Sequence, residues 1–461
     1  MTDQFTVLIM AAGRGTRMRS SVPKVLHPVA GKPMVHWVVE AAREAGAGRV
    51  LCVTRPGDGV SEGLLDGVEV VEQAEGEGTG SAVLAARGQL DREEAVVVLS
   101  ADHPLVGERL IEELLDSHRR EWAAATILTT TELDPAGYGR IVRSPNGSVQ
   151  RIVETKSTDG LPTAVLGIRE VNTGTYAFAA GDLMAALEDV EPEDGEVYLT
   201  GVFPVLAASG KRVATHTTTD TLSALGVNSR VTLMEAERLA QRRIVERHAT
   251  AGVTFLAPAT TYLDADVQIG EDTVIGPGVT LGRGTAIGLG CEIGPQATMI
   301  GARVGAGVTV RHAYLQECEV LDGATIGPFA YLRPGVVVRE GAKIGTFVEL
   351  KNADIGPGAK VPHLSYLGDV DVGEGSNVAA GNITANYDGF DKHRTVIGKR
   401  VKTGVDTSFV APVNIGDEAY TGAGSVIRED VPEGALGITS AEQQNVEDYA
   451  ERKAKKKRKK D

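Results

Sequence analysis

From Val267 to Ile427 the apolar residues fall into columns six positions apart. Ile269, Ile275, Leu281, Ile287 and Ile293 form one column, each followed by a glycine: Gly270, Gly276, Gly282, Gly288 and Gly294. Two positions earlier stand Val267, Thr273, Val279, Thr285 and Cys291, which in an extended strand point to the same side. Each hexapeptide therefore predicts a short strand with two inward side chains and a glycine-relieved bend. The column resumes at Ile326, Leu332, Val338, Ile344 and Leu350, slips by one residue to Ile355, Val361 and Leu367, and closes with Ile397, Phe409, Ile415 and Ile427. A hexapeptide period is the signature of a parallel β-helix. Scattered isoleucine and glycine, even in a chain with 56 glycines, would not keep this register.

The first half is patterned differently. Phe5 to Met10 is a short apolar run that ends in Ala11-Ala12-Gly13-Arg14-Gly15-Thr16-Arg17, a buried strand running into a loop. Predicted elements then alternate: helix Met34 to Ala45, strand Val50 to Thr54, helix Thr79 to Arg87, strand Ala95 to Ser100, helix Arg109 to His118. Such alternation implies a mostly parallel sheet covered on both faces, with ligands beyond the carboxyl ends of its strands. Gly13 and Gly15 lie there, where missing side chains let backbone N–H groups approach a polyphosphate. Arg14, Arg17 and Lys24 would supply positive charge. The loop fits neither the Walker nor the dinucleotide pattern. Asp102, just past the strand Val96 to Ser100, should project into the same crevice, where a carboxylate is a good Mg²⁺ ligand.

Arg230 to His248 lacks Gly and Pro and reads as one connecting helix of about five turns. The expected organisation is thus an α/β domain over 1–228, a linker helix over 229–250, a β-helix over 251–440 and a basic tail over 441–461. That tail, with Arg452, Lys453, Lys455 to Lys457, Arg458, Lys459 and Lys460, reads as a disordered solvated segment or else a clamp on anionic ligands.

Composition narrows the function. At 461 residues the chain has length for two large cores, and its formal charge of −15 repels nucleic acid. A phosphorylated ligand must then meet a local cluster of Lys, Arg or metal. Cys52, Cys291 and Cys318 are too widely spaced to frame disulfides, which implies a reducing cytoplasm. The densest apolar runs fall far short of the ~20 residues that span a bilayer, and no signal peptide is read before the first strand. Polar exceptions to the repeat cluster at Arg333, Lys351, His363, Tyr366, Asn377 and Asn386, and Ala385 to Thr395 breaks its period. A looped-out segment beside regular coils often carries function. His363 taken alone reads more readily as a solvated or hydrogen-bonded histidine than as a functional one.

Leu8 to Met18, Pro23-Lys24-Val25-Leu26, Gln73 with Gly78-Thr79-Gly80, Asp102, Gly137-Tyr138-Gly139-Arg140-Ile141, Glu154, Asn172-Thr173-Gly174 and Gly226-Val227-Asn228-Ser229-Arg230 resemble the sugar-nucleotide uridylyltransferases. In the repeat, the run Pro362 to Asp369 and Asn386-Tyr387-Asp388-Gly389 resemble acetyltransferase motifs. Together they resemble the bacterial bifunctional N-acetylglucosamine-1-phosphate uridylyltransferase and glucosamine-1-phosphate N-acetyltransferase family over nearly the whole chain. The resemblance implies an α/β Rossmann-like nucleotidyltransferase domain followed by a left-handed parallel β-helix. It also implies acetyl transfer from acetyl-CoA to glucosamine 1-phosphate, then uridylyl transfer from UTP, giving UDP-N-acetylglucosamine for envelope synthesis.

Site roles follow from the same resemblance. Arg17 and Lys24 neutralise phosphate charge in catalysis, and Asp102 and Asn228 hold Mg²⁺. The UTP and UDP-N-acetylglucosamine site takes Ala11, Ala12, Gly13, Lys24, Gln73, Gly78, Thr79, Gly139, Glu154, Asn172 and Asn228, with Tyr198 on the sugar. His363 is the general base of acetyl transfer, a task suited to an imidazole. Arg333, Lys351, Tyr366, Asn377 and Asn386 bind glucosamine 1-phosphate. Ala380, Asn386, Tyr387, Val405 and Ala423 meet acetyl-CoA. The family works as a cytoplasmic homotrimer with acetyl-transfer sites at subunit contacts, and no nucleic acid or membrane partner is implied.

Four residues depart from the family pattern: Ala101 where a glycine precedes the metal aspartate, Gly201 where aspartate follows the Tyr-x-Thr run, Val405 in place of a serine near the thioester, and Ser440 where some members carry arginine. Ala101 is expected to crowd the backbone near the nucleotide, and Val405 and Ser440 to weaken acetyl-CoA binding. Two other readings stand beside this one. One is a single-activity sugar-nucleotide pyrophosphorylase whose β-helix only oligomerises; the other is a regulatory subunit that has lost catalysis. His363 with the Asn386 loop argues against the first, and Lys24, Asp102 and Asn228 against the second.

Overall fold

A computed structural model describes residues 4–155, 160–193, 195–439 and 442–457. The chain forms two compact units, Met1–Arg243 and Ile244–Asp461, and the division falls within the helix Arg230–Thr250.

In the first unit the sheet runs in the order Val213–Thr217, Ala125–Thr130, Val171–Ala179, Ala95–Ser100, Phe5–Met10, Arg49–Thr54, Glu69–Glu72. All neighbours on this path are parallel except Val171–Ala179, which runs antiparallel to both of its partners. The expectation of a mostly parallel sheet therefore holds, with one reversed strand. An antiparallel hairpin, Arg140–Arg143 with Val149–Val153, joins that reversed strand at Val171.

Strand side chains alternate between the two faces, so each face needs its own cover. Leu8, Leu51, Val98, Ile127 and Phe178 pack with Phe203 and Leu206 on one side. Ile9, Cys52, Val97, Leu99 and Leu128 pack on the other with Val35, Val38 and Val39 of helix Met34–Glu44 and Ile111, Leu114 and Leu115 of helix Glu108–Arg120. The latter helix opens on Glu108 and closes on His118, Arg119 and Arg120, charges that complement its dipole.

In the second unit each short strand pairs in parallel with the one about three hexapeptides on, as in Tyr262↔Thr280, Gln268↔Ala286 and Val274↔Glu292. These are the coils of a left-handed parallel β-helix. The column residues Ile275, Leu281, Ile293, Ile326, Leu332, Val338, Ile344, Leu350, Ile355, Val361, Leu367, Ile397, Phe409, Ile415 and Ile427 are all buried, and Ile269 on the first coil is half-buried. Among the buried threonines of the stack, Thr273 Oγ1 donates to Gly288 O at 2.9 Å and Thr384 Oγ1 to Gly368 O at 2.9 Å. The one-residue slip appears as a shorter step, Val337↔Asp354, and the broken period as a longer one, Ile383↔Ser408. The extra residues lie between the strands Ile383–Ala385 and Thr395–Ile397.

The tail differs from the expectation of disorder. Tyr449–Lys457 is helical and exposed throughout, with Glu451 in the first turn and Lys455, Lys456 and Lys457 in the last, an arrangement that favours a helix even without a packed face. Arg458, Lys459, Lys460 and Ser440 lie outside the described residues.

Candidate active sites

Beyond the carboxyl ends of the central strands lies a cleft of about 720 Å³. Its lining includes Ala11, Ala12, Gly13, Arg17, Lys24, Gln73, Gly78, Thr79, Asp102, Gly139, Glu154, Asn172, Tyr198 and Asn228. Every residue expected at the nucleotide and sugar site is thus brought to one cavity.

Its charged centre is buried. Lys24 Nζ donates to Asp102 Oδ2 at 2.5 Å and to Asn228 Oδ1 at 3.1 Å, and Ser100 Oγ donates to Asp102 Oδ1 at 2.6 Å. Gly15 lets the Lys24 stem lie this close: it sits at φ +58°, and a Cβ there would come within 2.6 Å of Lys24 Cβ. Burial works against the Asp102 carboxylate, but the neighbouring His103 and Lys24 and the hydrogen bonds from Lys24 and Ser100 outweigh it and hold its pKa below the ordinary range. Burial, aided by Lys24 and opposed by Asp102, lowers the pKa of His103. The donor set suits a hard cation. Two oxygens, a carboxylate and an amide carbonyl, already converge on one ammonium, and a divalent ion with oxygen preference fits the same pair.

On the sugar side Gly139 is required by space. A Cβ there would lie 2.8 Å from Ile152 Cγ2 and 3.6 Å from both Asn172 Cβ and Glu154 Oε1, filling the gap between the two polar residues. Asn172 is fixed by its Nδ2–H donated to Tyr176 Oη at 2.8 Å and by Gly174 N–H, donated to its Oδ1 at 3.1 Å. At the other end Gln73 Nε2 donates to Gly76 O at 3.0 Å, and Thr79 Oγ1 accepts from Leu199 N at 2.9 Å.

Ala101 does not crowd this cleft. Its side chain is buried in the helix-covered core, and its N–H donates to Met10 O at 3.0 Å. Gly201 also stands behind the lining, where a Cβ would meet Val190 Cγ1 at 2.6 Å. Arg14, expected to face phosphate, is paired instead with Glu77 at 2.6 Å. Arg55, Glu77, His103 and Glu196 also line the cleft and were missed by sequence reasoning. The position of Arg55 just past strand Arg49–Thr54 was the available signal for it.

On the β-helix the expected residues fall into two groups. Lys351 Nζ lies 3.6 Å from Asp369 Oδ2, Asn352 Nδ2 donates to Asp369 Oδ1 at 2.7 Å, and Asn386 donates to Asp369 Oδ2. Tyr366 Oη and Asn386 Nδ2 converge over Gly368, 2.5 and 2.9 Å from where a Cβ would stand. Burial disfavours the Asp369 charge, yet Asn352, Asn386 and Lys351 more than offset it and lower its pKa. Arg333 lies one coil before Lys351, bonded through its N–H to Leu350 O and paired with Glu349 at 3.1 Å.

The second group is a corner column on successive coils. Gly381 N–H donates to His363 O, Asp406 N–H to Ala380 O and Gly424 N–H to Val405 O, which stacks His363, Ala380, Val405 and Ala423. The His363 imidazole is exposed and has no hydrogen-bond partner among the described residues, and Val405 and Ala423 are also exposed. Tyr387, in the loop, is exposed and donates to Gly389 O at 2.7 Å. Asn377 stands apart, bridged through its backbone to Lys360 and Lys402 on the adjoining coils.

A sheet whose strand ends gather a Gly-rich loop, a lysine and an aspartate is a nucleotidyltransferase architecture, and residues 7–197 match the MobA-like NTP transferase domain family. Over 459 residues the chain is 45% identical to the Bifunctional protein GlmU of Mycobacterium bovis and that of Mycobacterium tuberculosis, covering 97% of this chain and 92% of each relative. It is 44% identical to the Bifunctional protein GlmU of Mycolicibacterium vanbaalenii, covering 97% of this chain and 93% of that one. The chain belongs to the bifunctional GlmU family.

Proposed function

We propose that the chain carries both reactions of a two-step route to UDP-N-acetylglucosamine, acetyl transfer on the coils and uridylyl transfer in the cleft. The observation that carries this reading is the assembly of the full nucleotide and sugar set in one cavity around Lys24, Asp102 and Asn228.

In the cleft a phosphate oxygen of N-acetylglucosamine 1-phosphate attacks the α-phosphorus of UTP, and the bond to pyrophosphate breaks. Such transfer needs positioning and charge neutralisation more than a strong base. Arg17 and Lys24 take phosphate charge, the loop Ala11 to Gly13 offers backbone N–H groups, Gln73, Gly78 and Thr79 meet uracil, and Gly139, Glu154, Asn172 and Tyr198 hold the sugar. Asp102 and Asn228 would hold Mg²⁺, which would supply positive charge against the reacting phosphates.

On the coils His363 accepts a proton from the amine of glucosamine 1-phosphate. The freed nitrogen attacks the thioester carbonyl carbon, the C–S bond breaks and CoA leaves as the thiol. Arg333 and Lys351 bind the sugar phosphate, while Tyr366, Asn377 and Asn386 fix the sugar. Ala380, Tyr387, Val405 and Ala423 border acetyl-CoA.

The working form is a cytoplasmic homotrimer. In support, His312, Phe329, Phe347 and Leu364 follow one another at one corner of the coils, the last three more than half exposed, with ring centroids 5.4 and 5.3 Å apart along the first three. An exposed apolar ladder of this kind suits burial between subunits. No described helix is long and apolar enough to cross a membrane.

Pyrophosphate release from UTP and N-acetylglucosamine 1-phosphate with Mg²⁺, measured beside CoA release from acetyl-CoA and glucosamine 1-phosphate, tests both halves. Absence of either product from pure protein would sink the corresponding half.

A further inference from the structure

Two arginines from separate segments meet on one carboxylate in the lining of the nucleotide cleft. Arg55 donates Nε to Ala12 O at 2.7 Å and its terminal nitrogens to Glu77 at 2.5 and 3.3 Å. Arg14 donates to the same Glu77 at 2.6 Å. Both anchors are braced. The Arg55 N–H donates to Asp58 Oδ2 at 3.0 Å, and Asp58 Oδ1 also accepts from Val60 N at 2.9 Å. Glu77 O accepts from Val197 N at 3.0 Å and from Ser81 Oγ at 2.9 Å. Arg55 thus ties a carbonyl of the Gly-rich loop to the segment that carries Gly78 and Thr79.

We propose that Arg55 and Glu77 are positioning residues that clamp the phosphate loop to the base-reading loop, with Arg14 as the exchangeable member that leaves Glu77 for a nucleotide phosphate. This rests on the nucleotide reading of the cleft. Neither Arg55 nor Glu77 belongs to the motifs that carry the family resemblance. A single exposed ion pair contributes little. Here one planar guanidinium spans a carbonyl and a carboxylate at once, and Arg is suited to such forked contacts. Holding the two loops at a fixed separation before binding removes part of the ordering cost that nucleotide would otherwise meet. The side chain of Arg14 is 69% exposed, so it can swing to a phosphate while Arg55, at 26%, stays.

The test uses the full chain with Mg²⁺. UTP affinity is measured by calorimetry and uridylyl transfer by steady-state kinetics for Arg55→Ala, Glu77→Ala and the double variant, with CoA release as a folding control. Each single change should raise Kd and KM for UTP roughly fivefold or more with kcat within about twofold. The double variant should lose no more than the worse single one, because both remove the same link. Arg55→Lys, which keeps charge but not the fork, should fall between. Unchanged UTP affinity, a fall in kcat with KM unmoved, or additive losses would overturn the clamp. Wild-type protein that binds no UTP would overturn the nucleotide reading itself.

Discussion

At the scale of single residues the burden falls on two side chains in different environments. Lys24 is almost fully buried against Asp102 and Asn228, so its loss removes both a phosphate-binding charge and the neutralising partner of a buried carboxylate. Lys24→Met should lower uridylyl transfer by about 10²-fold or more while CoA release stays within twofold. Initial rates of pyrophosphate and CoA release check this, and parallel loss of both would contradict it. His363→Ala should do the reverse, cutting acetyl transfer by roughly 10²- to 10⁴-fold with pyrophosphate release intact. The chemistry of these residues was legible in the sequence because motifs name residue types. What was not legible is pairing: Arg14 and Arg17 look alike in the loop, yet Arg14 rests on Glu77, which also holds Arg55 from the end of another strand.

At the scale of elements, hydrophobic period predicted the coils and six elements of the first unit, but none of the strands Ala125–Thr130, Val171–Ala179 and Val213–Thr217. The strand Phe5–Met10 and the helix Met34–Glu44 lie within a residue of the sequence reading, and the hexapeptide columns are the buried columns of the coils. Less legible was direction: Val171–Ala179 is buried along most of its length inside the sheet, between Ala125–Thr130 and Ala95–Ser100, and a strand covered on both faces carries no pattern that shows it running antiparallel to both. The helix Glu108–Arg120 carries a testable cost. His118 is buried, bonded to Thr126 Oγ1 at 3.0 Å, and burial together with Arg119 lowers its pKa from 6.5 to about 4. Its folded pKa is depressed, so the unfolded chain binds the proton first as pH falls. The stability this residue contributes is present above pH 6.5 and is lost between 6.5 and about 4, by about 2 to 3 kcal/mol. Urea unfolding at pH 7 and pH 4.5 should show a steeper decline for wild type than for His118→Leu. Equal declines would contradict this. In the coils, Leu350→Ala should cost about 2 to 5 kcal/mol, read from the same unfolding experiment, because the stack is closed on all sides and cannot collapse into the space.

At the scale of the whole molecule, the chain forms two compact units, and the proposed function places uridylyl transfer on the sheet of the first and acetyl transfer on the solenoid of the second. The scaffold of the solenoid is regular, and the acetyl-transfer site we propose lies at the loop between Ala385 and Thr395 and at the corner column of His363. Sequence alone placed the residues of that column but not their surroundings, because His363 is exposed; on the proposed reading its partners come from substrate and from neighbouring subunits. Light scattering should give three times the 48.4 kDa chain mass. Phe329→Glu with Phe347→Glu should shift it toward monomer with loss of CoA release and retention of pyrophosphate release. A monomeric wild type with full acetyl transfer would contradict the trimer.

The most direct test of the two-site account is one coupled reaction. Glucosamine 1-phosphate, acetyl-CoA, UTP and Mg²⁺ are supplied together, and products are read by mass spectrometry for wild type, His363→Ala, Lys24→Met and a mixture of the two variants. Wild type should make UDP-N-acetylglucosamine, each variant alone should stall at its own step, and the mixture should restore the final product. A mixture that stays inactive while both variants remain folded, or a His363→Ala protein that still acetylates, would contradict it.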